Sequence, residues 1–152
     1  MLKKLLDKKK QEGFTIVEVM IVLAIAGLII LVVFLAVPAL QRNSRNTQRN
    51  NDASLIGAAV NECLNNRNGN PASCNTNALI VGPYLDTSKL RQLSTVTLGS
   101  GTGGINAASV VFGQKCSSDG STASSTGASA RAAVTLYSVE TSSGSATRCL
   151  DI

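Results

Sequence analysis

An apolar run near the start of the chain limits its fold more than any other feature. Residues 14–37 are apolar apart from Thr15, Glu18 and Gly27. A helix of this length spans the hydrocarbon core of a bilayer, which is about 30 Å thick. The helix of a soluble core would keep a polar stripe, and residues 19–37 offer none on any helical face. The run therefore predicts a membrane-spanning helix.

Composition divides the chain into unlike parts. Of its 152 residues, 44% are hydrophobic, 15% are charged and 3% are aromatic, and His and Trp are absent. The net charge is +5, but the five Lys, one Asp and one Glu of residues 1–13 contribute +3 of it. The basic balance thus indicates membrane targeting more than nucleic-acid binding. The lack of His excludes Ser-His-Asp and Cys-His nucleophiles, and we predict no enzymatic activity, no cofactor and no metal site.

Glu18 is a charged residue inside the apolar run. A carboxylate deep in a bilayer costs a few kcal/mol, so it usually has a partner or a function. One interpretation is a tolerated Glu at the membrane interface. The other is that a positive group meets it within the apolar layer. Cleavage after Gly13 would create such a group, the α-amino group of Phe14, on the same or a neighbouring molecule.

These residues resemble the cleavage site of type IV prepilins. A basic leader ending in KKKQEG at Gly13 is followed by FTIVEVM, with Phe14 first and Glu18 fifth. Gly27 within the span matches as well, so the resemblance covers about the first 40 residues. It implies cleavage between Gly13 and Phe14 by a membrane prepilin peptidase and N-methylation of Phe14. It also implies that Glu18 pairs with the N-terminal amine of a neighbouring subunit during assembly.

The resemblance implies a structural role. The precursor would cross the cytoplasmic membrane once, and the mature subunit would join an extracellular filament used for adhesion, motility or DNA uptake. Its partners would be identical or related pilin subunits, membrane lipid, the prepilin peptidase and the pilus assembly machinery. A pseudopilin of a type II secretion system is an alternative of the same family, and the sequence does not separate it from a major or minor pilin.

An ordinary secretory signal peptide is the rival interpretation of the apolar run. Val37, Pro38 and Ala39 form a weak cleavage site of small residues, and the mature chain would then be a secreted or membrane-anchored binding domain starting at Leu40. A signal peptide has an apolar region of about 7–15 residues, however, and this run is longer and contains Glu18. The prepilin interpretation is therefore preferred.

The helix is predicted to continue beyond the membrane. Residues 41–52 are polar without a strong helix breaker, residues 53–64 restore a helical apolar stripe, and NGNP at residues 68–71 ends the helix. Pro38 removes a helical hydrogen bond, so we expect a kink or local unwinding between Gly27 and Pro38. The predicted division is a cleaved leader (1–13), a membrane and assembly helix (14–40), its extension (41–67) and a β-rich domain (68–152).

Three arginines share one face of the predicted extension. Arg42, Arg45 and Arg49 are spaced i, i+3 and i+7. Such a stripe could neutralise DNA phosphates, but no aromatic residue lies nearby for base stacking. We prefer contact with lipid headgroups before assembly, and with other subunits or solvent afterwards, so DNA binding has weak support.

The remainder of the chain indicates a small antiparallel β-sheet. Strands are predicted at residues 94–98, 108–115, 131–141 and 147–152, and the alternation within 131–141 is typical of a half-buried strand. Residues 87–93 read as one or two helical turns, and residues 117–129 as a Ser/Thr-rich linker. The predicted fold class is α+β, a long N-terminal helix packed on a small antiparallel sheet, as in pilins.

Four cysteines follow the apolar run and suggest a disulfide framework for an exported domain with few large side chains: Cys63, Cys74, Cys116 and Cys149. A Cys₄ zinc site is disfavoured because no C-x-x-C pair exists. Three connectivities are open. We prefer Cys63–Cys74, which ties the helix end to the next loop, and Cys116–Cys149, which resembles the C-terminal disulfide loop of many pilins.

Overall fold

The computed structural model describes residues 13–99 and 101–152, so the predicted leader lies outside the described residues except for Gly13. The chain divides into two compact units, Met1–Leu40 and Gln41–Ile152. One helix, α1 (Ile16–Asn66), contributes to both. Its bounds lie within two residues of the predicted start and one of the predicted end.

In the first unit, α1 is an exposed apolar helix. No described residue of this unit is buried within the chain. The helix runs through Gly27 and Pro38 without a break, so no local unwinding interrupts it there. A kink between these residues stays a prediction.

In the second unit, the C-terminal part of α1 packs against a four-stranded sheet, whose strand order is β1-β2-β5-β6. The strands are β1 (Thr95–Leu98), β2 (Ala107–Phe112), β5 (Ala133–Thr141) and β6 (Gly144–Asp151). A separate pair, β3 (Lys115–Cys116) and β4 (Ala123–Ser124), forms a short hairpin. Three single helical turns, Pro71–Ser73, α2 (Asn77–Ile80) and Thr87–Lys89, connect α1 to β1. The predicted α+β class, a long helix packed on a small sheet, is confirmed.

The apolar core lies between α1 and one face of the sheet. On the helix, Ile56 and Val60 are fully buried, and they belong to the same cluster as Val110 of β2 and Tyr137 of β5. These positions follow from the helical stripe and from the period of two along each strand. The core therefore lies wholly within the second unit.

The sheet is mixed, which corrects the antiparallel prediction. Strands β1 and β2 pair in parallel, whereas β2–β5 and β5–β6 pair antiparallel. A parallel pair needs a crossover that returns the chain to the same end of the sheet. The glycine-rich segment between β1 and β2 makes this crossover over the sheet face opposite α1, where Gly103 lies against the backbone of β5. A Cβ at Gly103 would fall 2.1 Å from the carbonyl oxygen of Leu136.

The crossover covers part of the β5 face opposite α1; β5 is buried on both faces, so the prediction of a half-buried strand is wrong. All residues from Ala133 to Val139 are buried. The Ser138 amide donates to the Gly104 carbonyl oxygen at 3.1 Å, and the Ser138 hydroxyl donates to the Gly103 carbonyl oxygen at 3.0 Å. Because the covering segment is made mostly of small residues, nothing in the hydrophobic pattern marks it as a lid over the strand.

Candidate functional site

The start of α1 is fixed by a reciprocal capping arrangement. The Thr15 amide and the Thr15 hydroxyl each donate to Glu18 Oε2 at 2.8 Å, and the Glu18 amide donates to Thr15 Oγ1 at 3.3 Å. This is a capping box, in which the residue before the helix and the third helical residue satisfy each other's backbone amides. The T-x-x-E pattern at residues 15–18 was its sequence signal, and the sequence interpretation of Glu18 missed it.

The capping box uses only one oxygen of the Glu18 carboxylate. Oε2 accepts both Thr15 hydrogen bonds, while Oε1 accepts none from the described part of the chain. One carboxylate oxygen thus remains open to a donor from another molecule.

Gly13 and Phe14 precede the helix in exposed chain. The Phe14 side chain is 89% exposed, and no atom lies within 4 Å of the position that a Cβ on Gly13 would take. The helix begins two residues later, at Ile16. The Gly13–Phe14 peptide bond therefore lies outside the helix, between exposed residues.

The apolar half of α1 has the length and composition of a membrane span. Within the described residues, α1 is the one helix that meets this criterion, with a mean hydropathy of 3.3 over its most apolar 18-residue window and none of that window buried. Large apolar side chains along it, such as Leu23, Leu31 and Phe34, are more than 60% exposed. Such a surface is unstable in water and needs lipid or other apolar helices as neighbours.

The arginine stripe contacts its own domain, which corrects the preferred interpretation of headgroup, subunit or solvent contact. Arg49 is 2% exposed; its Nε donates to the Ile105 carbonyl oxygen at 2.8 Å, and it forms an ion pair with Glu140 at 2.8 Å. Arg45 forms a second ion pair with the same carboxylate, and Arg42 donates to the Thr141 carbonyl oxygen at 3.4 Å.

Glu140 is the acceptor at the centre of this network. Hydrogen bonds from Arg45 and then Arg49 lower the pKa of its carboxyl group to about 2. Asn46 completes the network, because its side-chain amide donates to the Glu140 carbonyl oxygen and its Oδ1 accepts the Glu140 amide, both at 2.8 Å. The sequence did not link these residues, because more than 90 positions separate Glu140 from its helix partners.

Asp52 is a second buried charge that the sequence interpretation missed. It is 1% exposed, and its carboxylate accepts the backbone amides of Arg91, Gln92 and Leu93 at 2.6–3.1 Å. It fastens the chain before β1 to the helix, which is a structural role. In the described residues no group of three or more His, Cys, Asp or Glu side chains is placed to hold a metal ion.

The four cysteines form two disulfides in the second unit. Cys63 is joined to Cys74 and Cys116 to Cys149. The first pair is fully buried beside the end of α1, whereas the second is partly exposed and ties β3 to β6. This is one of the three connectivities that four cysteines allow.

Comparison with known protein families finds a match for the N-terminal part of the chain. Residues 8–34 match the family model of the prokaryotic N-terminal methylation motif. The matched segment is a small part of the chain, but it contains Gly13, Phe14, Glu18 and Gly27. No curated protein and no solved structure matches the chain. The motif, the exposed apolar helix that it opens and the helix-on-sheet fold together support a type IV pilin- or prepilin-like protein.

Proposed function

We propose that the chain is a structural subunit that is cleaved between Gly13 and Phe14 and polymerises into an extracellular filament. One observation carries the proposal: no described residue covers the most apolar 18-residue window of α1, while the core cluster of the second unit contains no residue from that window. In the precursor, membrane lipid covers this surface. In the filament, identical helices related by helical symmetry cover it.

The geometry of the N-terminal end supports processing at the predicted bond. A peptidase needs an accessible bond outside regular secondary structure, and the Gly13–Phe14 bond precedes the helix with an exposed Phe14 side chain. Cleavage leaves Phe14 with a new α-amino group, which is the group that N-methylation would modify. Prepilin peptidase, the methylating enzyme and the pilus assembly machinery are therefore the proposed partners.

Glu18 is proposed to pair with that α-amino group on a neighbouring subunit. An unpaired carboxylate among packed apolar helices is unfavourable, and a positive group at hydrogen-bond distance offsets the cost. Thr15 occupies Oε2, so Oε1 is the oxygen that the neighbour can reach. The ion pair would fix the axial register of adjacent helices.

The second unit is proposed to be the exported, surface-exposed part of the subunit. Two disulfides suit an oxidising compartment outside the cytoplasm. DNA uptake gains no support from the arginine stripe, because Arg45 and Arg49 are paired with Glu140. Adhesion and motility are the remaining proposed uses of the filament.

Substitution of Glu18 tests the assembly role. Glu18→Gln keeps an acceptor for the capping box but removes the charge, since Gln serves at this position as Glu does. We expect the variant to reach the membrane and to be cleaved, while sheared surface fibres fall by about tenfold or more because the ion pair is lost. Glu18→Ala should behave alike, and Thr15→Ser, which preserves the box, should assemble normally. Normal fibre yield from Glu18→Gln would refute charge pairing.

Sequencing the N-terminus of the mature protein tests the processing step. A mature chain that begins with methylated Phe14 supports the proposal, whereas one that begins with Leu40 indicates an ordinary signal peptide. The abundance of the chain in sheared fibres then distinguishes a major pilin from a pseudopilin. A dominant band indicates a major pilin, and a chain missing from fibres but required for protein secretion indicates a pseudopilin.

A further inference from the structure

Residues 113–132, between β2 and β5, form a flap over the sheet face opposite α1. The two ends of the flap, which we call its neck, are joined by a hydrogen bond from the Gly113 amide to the Ala132 carbonyl oxygen at 2.6 Å. Between the flap and the crossover lies a cleft of about 430 Å³. Gln114 and Thr122 of the flap line one side, and Val111 and Leu136 of the sheet line its floor.

The flap has little of its own to hold it in place. None of its residues is buried, and residues 117–129 are almost all Ser, Thr, Gly or Ala. A segment without buried apolar side chains opens locally at low free-energy cost. Beyond its neck, contacts with β6 hold it: the Cys149 amide donates to the Gly120 carbonyl oxygen at 2.8 Å, the Cys116 amide donates to Asp151 Oδ1 at 2.7 Å, and the Cys116–Cys149 disulfide joins the two.

The two disulfides differ in their access to solvent. Cys63 and Cys74 are 0% exposed within the core. Cys116 and Cys149 are both partly exposed. Thiol–disulfide exchange requires a thiolate to reach a sulfur atom, so access governs which disulfide reacts first.

We propose that Cys116–Cys149 is a redox latch that a dithiol opens, releasing the flap while the core and Cys63–Cys74 stay intact. One thiolate of the dithiol attacks a sulfur of the pair, the S–S bond breaks and the other cysteine leaves as a thiolate. The second thiolate of the dithiol then attacks the mixed disulfide. Two electrons pass to Cys116 and Cys149, which become thiols, and the reductant becomes its own cyclic disulfide.

Opening the latch uncovers two surfaces. The Cys149 amide loses the Gly120 carbonyl, so the outer edge of β6 gains an unpaired backbone donor, and such edges accept further strands. The cleft floor around Val111 and Leu136 also becomes accessible. Neither the processing site nor the apolar half of α1 takes part, so this inference is independent of filament assembly.

Graded reduction of the full chain in detergent micelles tests the latch. Brief treatment with dithiothreitol, alkylation with N-ethylmaleimide and peptide mass spectrometry would identify the cysteines that are freed. We expect Cys116 and Cys149 to be alkylated about tenfold faster than Cys63 and Cys74, because Cys116 and Cys149 are partly exposed whereas Cys63 and Cys74 are buried. Equal rates for the two pairs would overturn the proposal.

Hydrogen exchange on the half-reduced protein tests whether the flap opens. Amides of residues 115–124 and of Cys149 should exchange about tenfold faster after reduction, while residues 53–64 of α1 stay protected. Cys116→Ser/Cys149→Ser should show the open state without reductant, and Cys63→Ser/Cys74→Ser should keep the flap closed. Unchanged protection of Cys149 in the half-reduced protein would show that the disulfide is no latch.

Discussion

At the residue scale, Glu140 determines how the polar part of α1 is attached to the sheet. Its carboxylate accepts hydrogen bonds from Arg45 and Arg49, and Arg49 is almost completely buried. A buried guanidinium without a carboxylate partner would be strongly unfavourable. The ion pairs therefore tie the charge state of one carboxyl group to the attachment of the helix.

The first prediction concerns pH. The pKa of Glu140 is lowered from 4.5 to about 2 by hydrogen bonds from Arg45 and Arg49. Because the folded-state pKa lies below the ordinary value, the unfolded chain takes up this proton first as pH falls. The stabilisation is thus complete above pH 4.5 and is lost as pH falls toward 2. Urea unfolding of the full chain in detergent, with and without Glu140→Gln, should show a large midpoint difference at pH 7 that shrinks across this window.

Glu62→Gln is the matched control for that experiment. Glu62 is an exposed carboxylate of α1, and its removal should move the midpoint little at any pH. A midpoint difference for Glu140→Gln that stays constant from pH 7 to pH 2 would contradict the ion-pair explanation.

Single residues of the site differed in how far the sequence could reveal them. Gly13, Phe14 and Glu18 lie close together in one local motif, so the roles proposed for them could be predicted from the sequence. Thr15 was recognisable in principle from its spacing to Glu18, since a capping box is a local pattern. The pairing of Arg49 with Glu140 had no local signal, because it depends on how the helix and sheet meet.

At the scale of elements, the crossover between β1 and β2 decides the sheet topology. It places the backbone of Gly103 directly against β5, with no space for a side chain. Because β1 and β2 are neighbours with parallel direction, the sheet can form only if this segment crosses closely over the strands.

The second prediction is that Gly103→Ala destabilises the protein. The new Cβ would lie 2.1 Å from the Leu136 carbonyl oxygen, so either the crossover or β5 must move. Overpacking of this kind costs about 1–3 kcal/mol, and a clash with backbone belongs at the upper end. The urea midpoint should fall, and the Ser138 amide, which donates to Gly104, should lose hydrogen-exchange protection.

Gly104→Ala supplies the comparison. Its Cβ would meet the nearest atom, the Ala107 Cβ, at 3.6 Å, an ordinary contact. This variant should unfold within about 0.5 kcal/mol of the original chain. Equal losses from both substitutions would mean that close packing at Gly103 is not what holds the crossover.

Helices and strands with a periodic hydrophobic pattern could be predicted from the sequence. The way in which these elements are connected could not. The long helix and the four strands of the main sheet lie close to their predicted positions, because each has its own periodic pattern. The parallel pairing of β1 was missed because a short, glycine-rich crossover resembles an ordinary turn in sequence. For the same reason β5 was expected to be half-buried.

At the scale of the whole molecule, the apolar residues have two separate destinations. Large exposed apolar side chains are concentrated in residues 14–40, and among the described residues of the second unit Leu55 is the prominent exception. This contrast was visible in the sequence, because the apolar run is continuous while later apolar residues are periodic. It implies that the second unit can fold without the membrane segment.

The third prediction is that a fragment of residues 41–152 folds on its own. It contains the whole core and both disulfides, together with Arg45, Arg49 and Asp52 of α1. We expect it to be a monomer in water by light scattering, with slow hydrogen exchange in β5, whereas the full chain requires detergent or assembles. A fragment of residues 53–152 is the control, since it leaves Glu140 without its arginines and the amides of residues 91–93 without Asp52.

The two fragments together separate autonomy of the second unit from mere solubility. The shorter one should unfold several kcal/mol more easily, because it loses buried hydrogen bonds to charged groups at two places. If the longer fragment aggregates or lacks protection in β5, the apolar half of α1 is needed for folding as well as for the proposed assembly. If both fragments are equally stable, the polar stretch of α1 serves as a connection to the apolar half and contributes little to holding the sheet.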